Sequence, residues 1–294
     1  MIDATGRTVP VLGVDFSGAR GDNATWVTQG LLLENTLTIQ SCRPVTRSQL
    51  ADLLSSAPGN AVAALDFPFS VPREFVSHWL PGTDAMPPLW SAAAAMKFEE
   101  FLALRDEFVA KSGEPLRRGD LYFPECYSCL HKTNPNMVPM TFRGMQMLHR
   151  LWQEGCRVPP LDDDGQGGPL LLESMPGAAL RALGLPFKGY KGGRNNLELR
   201  KQVLDGIEPA SGLAIPNLDD FRLECTSNHD CLDSLAAAVT ACLWVKDESL
   251  FRLPQDGPGT GERRGIVPDP AENELETARL EGWLYAPVFI PPRE

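Results

Sequence analysis

The stretch Val11-Leu-Gly-Val-Asp15-Phe-Ser17-Gly18-Ala-Arg20 limits what this chain can fold into more than any other. An apolar run that ends in a carboxylate and a small-residue turn reads as a buried strand delivering Asp15 to a cleft. Apolar surroundings disfavour an ionised side chain, so a carboxylate at the strand's end needs a cation or a hydrogen-bond donor. Taken alone, Asp15 could simply cap its own turn through the amides of Ser17 or Gly18. The pattern returns, however, in Ala61-Val-Ala-Ala-Leu65-Asp66 and again in Leu170-Leu-Leu-Glu173.

Around these strands the order of elements predicts an α/β fold with a mixed five-stranded sheet. Val11 to Asp15, Ala24 to Leu33 and Thr36 to Cys42 read as an antiparallel meander, with Glu34-Asn35 as a tight turn. Thr46 to Ala57 reads as a helix with Thr46 as N-cap, and the Ala61 to Asp66 strand reached through it is most easily placed parallel to the first. Residues 71–168 interrupt this rhythm and are expected to be a mostly helical insertion in a single domain spanning 1–294. Within the insertion, Ser91 to Lys111 is expected as one helix with Phe98, Leu102, Arg105 and Val109 on its inner stripe. Thr141 to Glu154 is expected as another, capped by Thr141. Pro176 and Gly184 frame a short helix, Leu197 to Leu204 suggests one more, and His229 to Lys246 is a long one. Leu253 to Pro270 reads as a Pro/Gly-rich loop.

That long helix carries the strongest chemical signal, Asn228-His229-Asp230-Cys-Leu-Asp233-Ser-Leu-Ala236-Ala237-Ala238. Asp230 and Asp233 lie three apart, on one helical face that Ala237 continues with almost no side chain. Small residues there let the helix lie close to a sheet, bringing both acids near Asp15 and Asp66. Four carboxylates in one cleft repel each other unless a divalent cation sits among them, and oxygen-only ligands suit Mg²⁺ or Mn²⁺.

Composition narrows the partners. The chain has 294 residues with a net charge of −11, which argues against broad nonspecific affinity for nucleic acid and makes any such contact local. The best local candidate is Lys188-Gly-Tyr190-Lys191-Gly-Gly-Arg194, followed to Lys201 by Glu198 as its only acid. Its cations could hold phosphates and Tyr190 could stack a base, against the plainer reading of a flexible surface loop. No apolar run approaches the ~20 residues of a membrane span, and the seven cysteines form no disulfide framework, so a reduced cytoplasmic protein is expected. Cys126-x-x-Cys129-x-His131 has the look of half a zinc site, but no second ligand pair follows at the usual spacing.

The Gly-Val-Asp15-Phe-Ser-Gly opening, the Leu-Asp66-Phe-Pro-Phe-Ser turn, Glu173 followed by Pro-Gly-Ala-Ala-Leu, and the late His-Asp230-x-x-Asp233 helix resemble the ribonuclease H-like superfamily. Within it the chain looks like the predicted-nuclease family termed domain of unknown function 429. Asn134-Pro-Asn-Met, Pro139-Met-Thr-Phe-Arg-Gly and Glu281-Gly-Trp-Leu-Tyr-Ala-Pro extend the resemblance over most of the chain. The Asp-x-x-Asp helix is also similar to that of RuvC-like resolvases. The resemblance implies a ribonuclease H-like fold, with metal-binding acids at Asp15, Asp66, Asp230 and Asp233 and a further family carboxylate at Glu173. Met175 stands where the family more often has an aromatic residue, and Arg118-Gly-Asp120 departs from its usual Arg-Thr-Asp-like run.

The expected activity is divalent-metal-dependent phosphodiester hydrolysis, with nucleic acid as substrate and a homodimer among the expected partnerships. Ser17 and His229 join the substrate-side candidates, His229 as a group able to position water or the leaving group. A noncatalytic or regulatory ribonuclease H-like module is the alternative. An actin- or sugar-kinase-like phosphotransferase comes third, because Asp15-Phe-Ser-Gly resembles a phosphate-binding turn while no second copy of that turn exists.

Overall fold

The computed structural model describes residues 7–133, 136–161, 167–254 and 273–288. The Asn134-Pro135 and Asp162 to Gly165 runs, and nearly all of the Leu253 to Pro270 loop, lie outside them. Strands β1 (Val9–Asp15), β2 (Thr25–Leu33) and β3 (Thr36–Val45) form the expected antiparallel meander. Glu34 takes the left-handed φ of +52° that the two-residue turn requires. Helix α1 (Arg47–Ser55) starts with a capping box in which the Gln49 amide donates to Thr46 Oγ1 and the Thr46 amide to Gln49 Oε1. It returns the chain to β4 (Val62–Asp66), parallel to β1, and β5 (Leu170–Glu173) adds parallel to β4. The strand order is β3-β2-β1-β4-β5, a mixed five-stranded α/β sheet flanked by helices.

Alternation along the strands divides the core in two. Val11, Val62, Ala64 and Leu172 face one layer, made of α6 (Pro176–Ala182), α7 (Asn196–Ser211), α8 (Asp219–Ser227) and α9 (His229–Lys246). Leu12, Val14, Ala63, Leu65 and Leu171 face the other, made of α1 and the helices between β4 and β5. Those are α2 (Arg73–Trp79), α3 (Met86–Ala95), α4 (Phe98–Ser112) and α5 (Val138–Gln153). The last helix, α10 (Glu274–Glu281), ties back to this layer: Glu281 accepts from the Arg73 amide at 2.7 Å and the Arg118 amide at 2.5 Å.

Three local expectations need correction. The single helix over Ser91 to Lys111 is two, because the chain extends at Met96 and restarts with Lys97, whose amide donates to Glu100 Oε2. The buried stripe of α4 is therefore Phe101, Arg105 and Phe108, while Phe98, Leu102 and Val109 are only partly covered. Thr141 does not cap α5, which begins at Val138 with Pro139 in its first turn; its hydroxyl donates to the carbonyls of Met137, one turn back, and of Cys129 in the preceding loop.

Helix α9 lies directly on β1. A methyl group on Gly13 would sit 2.0 Å from both the Ala238 amide nitrogen and the Ser234 carbonyl oxygen. The clash is with backbone, so no rotamer change relieves it. Gly13→Ala should force α9 off the sheet and lose at least the ~1–3 kcal/mol of ordinary overpacking. Urea unfolding is the check, and a wild-type midpoint would contradict this packing.

Candidate metal site at the strand ends

Asp15 and Asp66 are register partners at the ends of the parallel strands β1 and β4. Counting by twos from Val11 and Val62 puts both side chains on the α9 face. Because α9 rests on Gly13, its first turns bring Asp233 to the same place. Oxygen atoms from Asp15, Asp66 and Asp233 lie within 4.8 Å of one another. Asp233 is wholly buried; Tyr190 donates its hydroxyl to Oδ1 at 2.7 Å, and Lys191 Nζ stands 2.7 Å from Oδ2.

Burial pushes the Asp15 carboxyl well above the usual range, and Asp233 and Asp66 add to the rise. Burial likewise pushes Asp66 up to about 7; Lys191 opposes the shift, and Asp233 and Glu173 reinforce it. Burial works against a charged Lys191, but the acids, Asp233 first, outweigh it and hold the ammonium well above the ordinary lysine range. Lys191 is thus a permanent cation serving as internal counter-charge, not an amine nucleophile. With its side chain 54% exposed, it stands where solvent can replace the contact.

Sequence reasoning predicts four converging aspartates, and the structure brings three together. Asp230 remains at the cleft rim, 2.6 Å from His229 Nδ1, with its own amide capped by Asn228. Glu173 also lines the cleft, but it is not one of the three converging acids. It shares the alternation of Leu171, and its register partner Leu65 faces the insertion, so its side chain starts from the opposite face of the sheet. There it is buried against Arg117, whose guanidinium donates to both carboxylate oxygens, one at 2.8 Å, while the Phe69 amide donates at 2.9 Å. The same Arg117 donates to Asp120 at 2.8 and 3.1 Å. Burial raises the Glu173 carboxyl and Arg117 pulls it back, leaving it above the ordinary value.

Residues 13–258 match the family described as a protein of unknown function, DUF429, a span that includes all five of these acids. The chain belongs to the DUF429 family. No curated protein and no solved structure matches it.

In this DUF429 chain the acids open into a cleft of about 1030 Å³. Ser17 lines it just past β1, its amide donating to Thr25 Oγ1 and its hydroxyl accepting from Ala19. Lys188 lines it too, its ammonium 5.2 Å from the Phe187 ring centroid. The expected stacking role of Tyr190 is wrong: the ring is 1% exposed, held in the core while its hydroxyl supports Asp233. Arg194 is exposed and is not part of the cleft lining. Cys126, Cys129 and His131 do not form a ligand group; Cys126 contacts Met175 sulfur and His131 pairs with Glu114.

Two residues and one role escape sequence reasoning. Arg117 holds Glu173, Tyr127 is 53% exposed in the cleft wall, stacked on His131, and Lys191, expected to hold phosphates, pairs with Asp233 inside the acid cluster. Only Arg117 leaves a signal, a pair of arginines just before Asp120 in an otherwise apolar run. Among the described residues, no helix is long and apolar enough to cross a membrane.

Proposed function

We propose that this chain hydrolyses phosphodiester bonds in nucleic acid with a divalent cation, Mg²⁺ or Mn²⁺, held by Asp15, Asp66 and Asp233. The observation that carries this reading is the set of three carboxylates with oxygens within 4.8 Å, Asp15 and Asp66 lining a cleft of about 1030 Å³ and Asp233 buried just behind them. Their chemistry fits such an ion. All ligand atoms are hard oxygens, and burial makes their charge unfavourable until a cation balances it. A bound ion of this kind activates water and screens charge on a phosphate.

The chain's own groups supply the rest. Tyr190 fixes the orientation of Asp233 through Oδ1. Lys191, released from Asp233 Oδ2, and Lys188 become available to substrate phosphates at the same rim. His229 stands beside the rim acid Asp230, its Nδ1 2.6 Å from the carboxylate, and is outside the cleft lining. Tyr127 offers the exposed aromatic face for a base. The strand order, antiparallel on one side of β1 and parallel on the other, supports the ribonuclease H-like reading, and the Asp233 helix supports likeness to RuvC-type resolvases.

The test is hydrolysis of mixed single- and double-stranded DNA and RNA with Mn²⁺ and with chelator. Cleavage that needs Mn²⁺ and disappears in Asp233→Asn is expected; none on any substrate overturns the proposal. Mn²⁺ should also raise the melting temperature, because a ligand of the folded state alone stabilises it by about 2.7 kcal/mol at 100 times its Kd. A specific observation favours the noncatalytic alternative as the second reading. Lys191 supplies Asp233 with a counter-charge from within the chain, 2.7 Å from Oδ2. A melting temperature unmoved by millimolar Mn²⁺ would select it.

A further inference from the structure

On the same face of the sheet, and separate from the acid cleft, three cysteines from distant parts of the chain meet at one point. Cys42 lies on the edge strand β3, Cys225 on α8, and Cys231 in the first turn of α9. Their sulfur atoms are all within 4.8 Å of one another, with Cys42 2.8 Å and Cys225 3.2 Å from Cys231. Ordinary apolar filling is the plain explanation for a buried cysteine. It does not suit these distances, which are inside the ~3.5–4.0 Å at which nonbonded atoms pack. Nor does it account for the polar surroundings. Thr28 Oγ1 donates to Cys42 sulfur at 3.2 Å, Ser234 Oγ lies 3.6 Å from it, and the two hydroxyls are 2.8 Å apart.

A disulfide would use two of the three sulfurs and leave the third without a role. A metal ion uses all three. We propose that Cys42, Cys225 and Cys231 form a thiolate site for a soft or borderline metal ion, Zn²⁺ or Cu⁺, with the Thr28 and Ser234 hydroxyls as its oxygen neighbours. Thiolates select these ions over Mg²⁺ or Mn²⁺, so the site is chemically distinct from the carboxylate cluster. A Zn–S length of ~2.3 Å requires sulfurs to stand ~3.8 Å apart, so the two close pairs must open by about 1 Å or less. Hydrogen bonding from Cys225 and Cys231 holds the Cys42 thiol well below the ordinary thiol range, so the partly exposed sulfur is the one set to meet a cation as thiolate. Cys225 and Cys231 are fully buried, but Cys42 on the edge strand is only partly so, which leaves a route in from that side. Binding releases the thiol protons to solvent and involves no change in oxidation state.

The experiment uses the full-length, reduced, metal-free chain titrated with Co²⁺ and then Zn²⁺. One equivalent of Co²⁺ should produce a thiolate-to-metal charge-transfer band in the near ultraviolet, and Zn²⁺ should displace it. The band should persist in Asp15→Asn/Asp66→Asn, which separates this site from the acid cleft and from any failure of the proposed hydrolase activity. Cys42→Ser, at the partly exposed position, should weaken binding by more than the ~10–100-fold typical of losing an outer-shell partner. Absence of the band in the wild-type chain, with its thiols titrating as free, overturns the proposal. So does air oxidation that consumes two of the three thiols while metal binds nowhere near them.

Discussion

Asp15→Asn should abolish Mn²⁺-dependent cleavage, by at least about 10³-fold, while leaving the fold intact and more stable than wild type at pH 8 in chelator. The activity figure follows from the several kcal/mol of charge stabilisation lost with a metal ligand, at about 1.36 kcal/mol per tenfold in rate. The stability gain follows from titration. Asp66 ionises near 3.8 when unfolded and at about 7 in the native cluster, and Asp15 is raised in the same direction. Between those limits the unfolded chain has released protons that the native chain keeps. Through Asp66, native stability therefore falls as pH rises from about 4 to about 7, by about 1.4 kcal/mol for every pH step of one across that window, and Asp15 adds a fall of the same sign. Replacing Asp15 removes one raised group and relieves Asp233 and Asp66, so the fall should be shallower. The check is the urea midpoint at pH 5 and pH 8, in chelator and in Mn²⁺, alongside turnover. An unchanged pH dependence in Asp15→Asn would place its source outside the acid cluster, and retained cleavage would remove Asp15 from the metal site.

Much of this site is legible because it is built from local patterns. Each strand that ends in an acid announces itself by an apolar run, and the Asp233 helix by its small residues. Gly13 opposite Ala238 is the detail that turns those small residues into direct helix-on-strand contact. The position of Glu173 is legible too, but by a different signal from the strand ending that first draws attention to it. Ending a strand is not enough; the side chain must also fall on the α9 face, and alternation from Leu172 to Glu173 places it on the other. Lys191 cannot be read in the same way. Its contact with Asp233 spans 42 residues and depends on how the loop before α7 folds back over the cleft. The same holds for Cys42, which reaches Cys231 across 189 residues with no spacing motif to mark it. The split between α3 and α4 is hidden because Ala92 to Ala95 are good helix formers that run almost to the break at Met96, and propensity carries no information about where packing turns a chain.

Arg117→Met should be the most damaging single change away from the acid cluster, lowering stability by about 3–5 kcal/mol. Arg117 is 4% exposed and binds two acids, Asp120 and Glu173, each with both of its oxygens. Removing the guanidinium takes its charge away from two buried carboxylates, and burial alone already pushes Glu173 upward. Arg117→Lys should rescue only part of the loss, since one ammonium cannot reproduce two forked contacts. Arg117→Met combined with Glu173→Gln should be more stable than the sum of the single changes predicts, because the amide no longer brings a charge that needs a partner. Loss of Arg117 removes what holds the Glu173 carboxyl down, so Glu173 takes up a proton more readily when native than when unfolded. The cost of Arg117→Met should therefore shrink as pH is lowered from 7 to 5. Urea unfolding of the four proteins at both pH values is the measurement. A cost under about 1 kcal/mol for Arg117→Met, or strict additivity in the double variant, would show that this ion cluster does not hold β5 to the insertion.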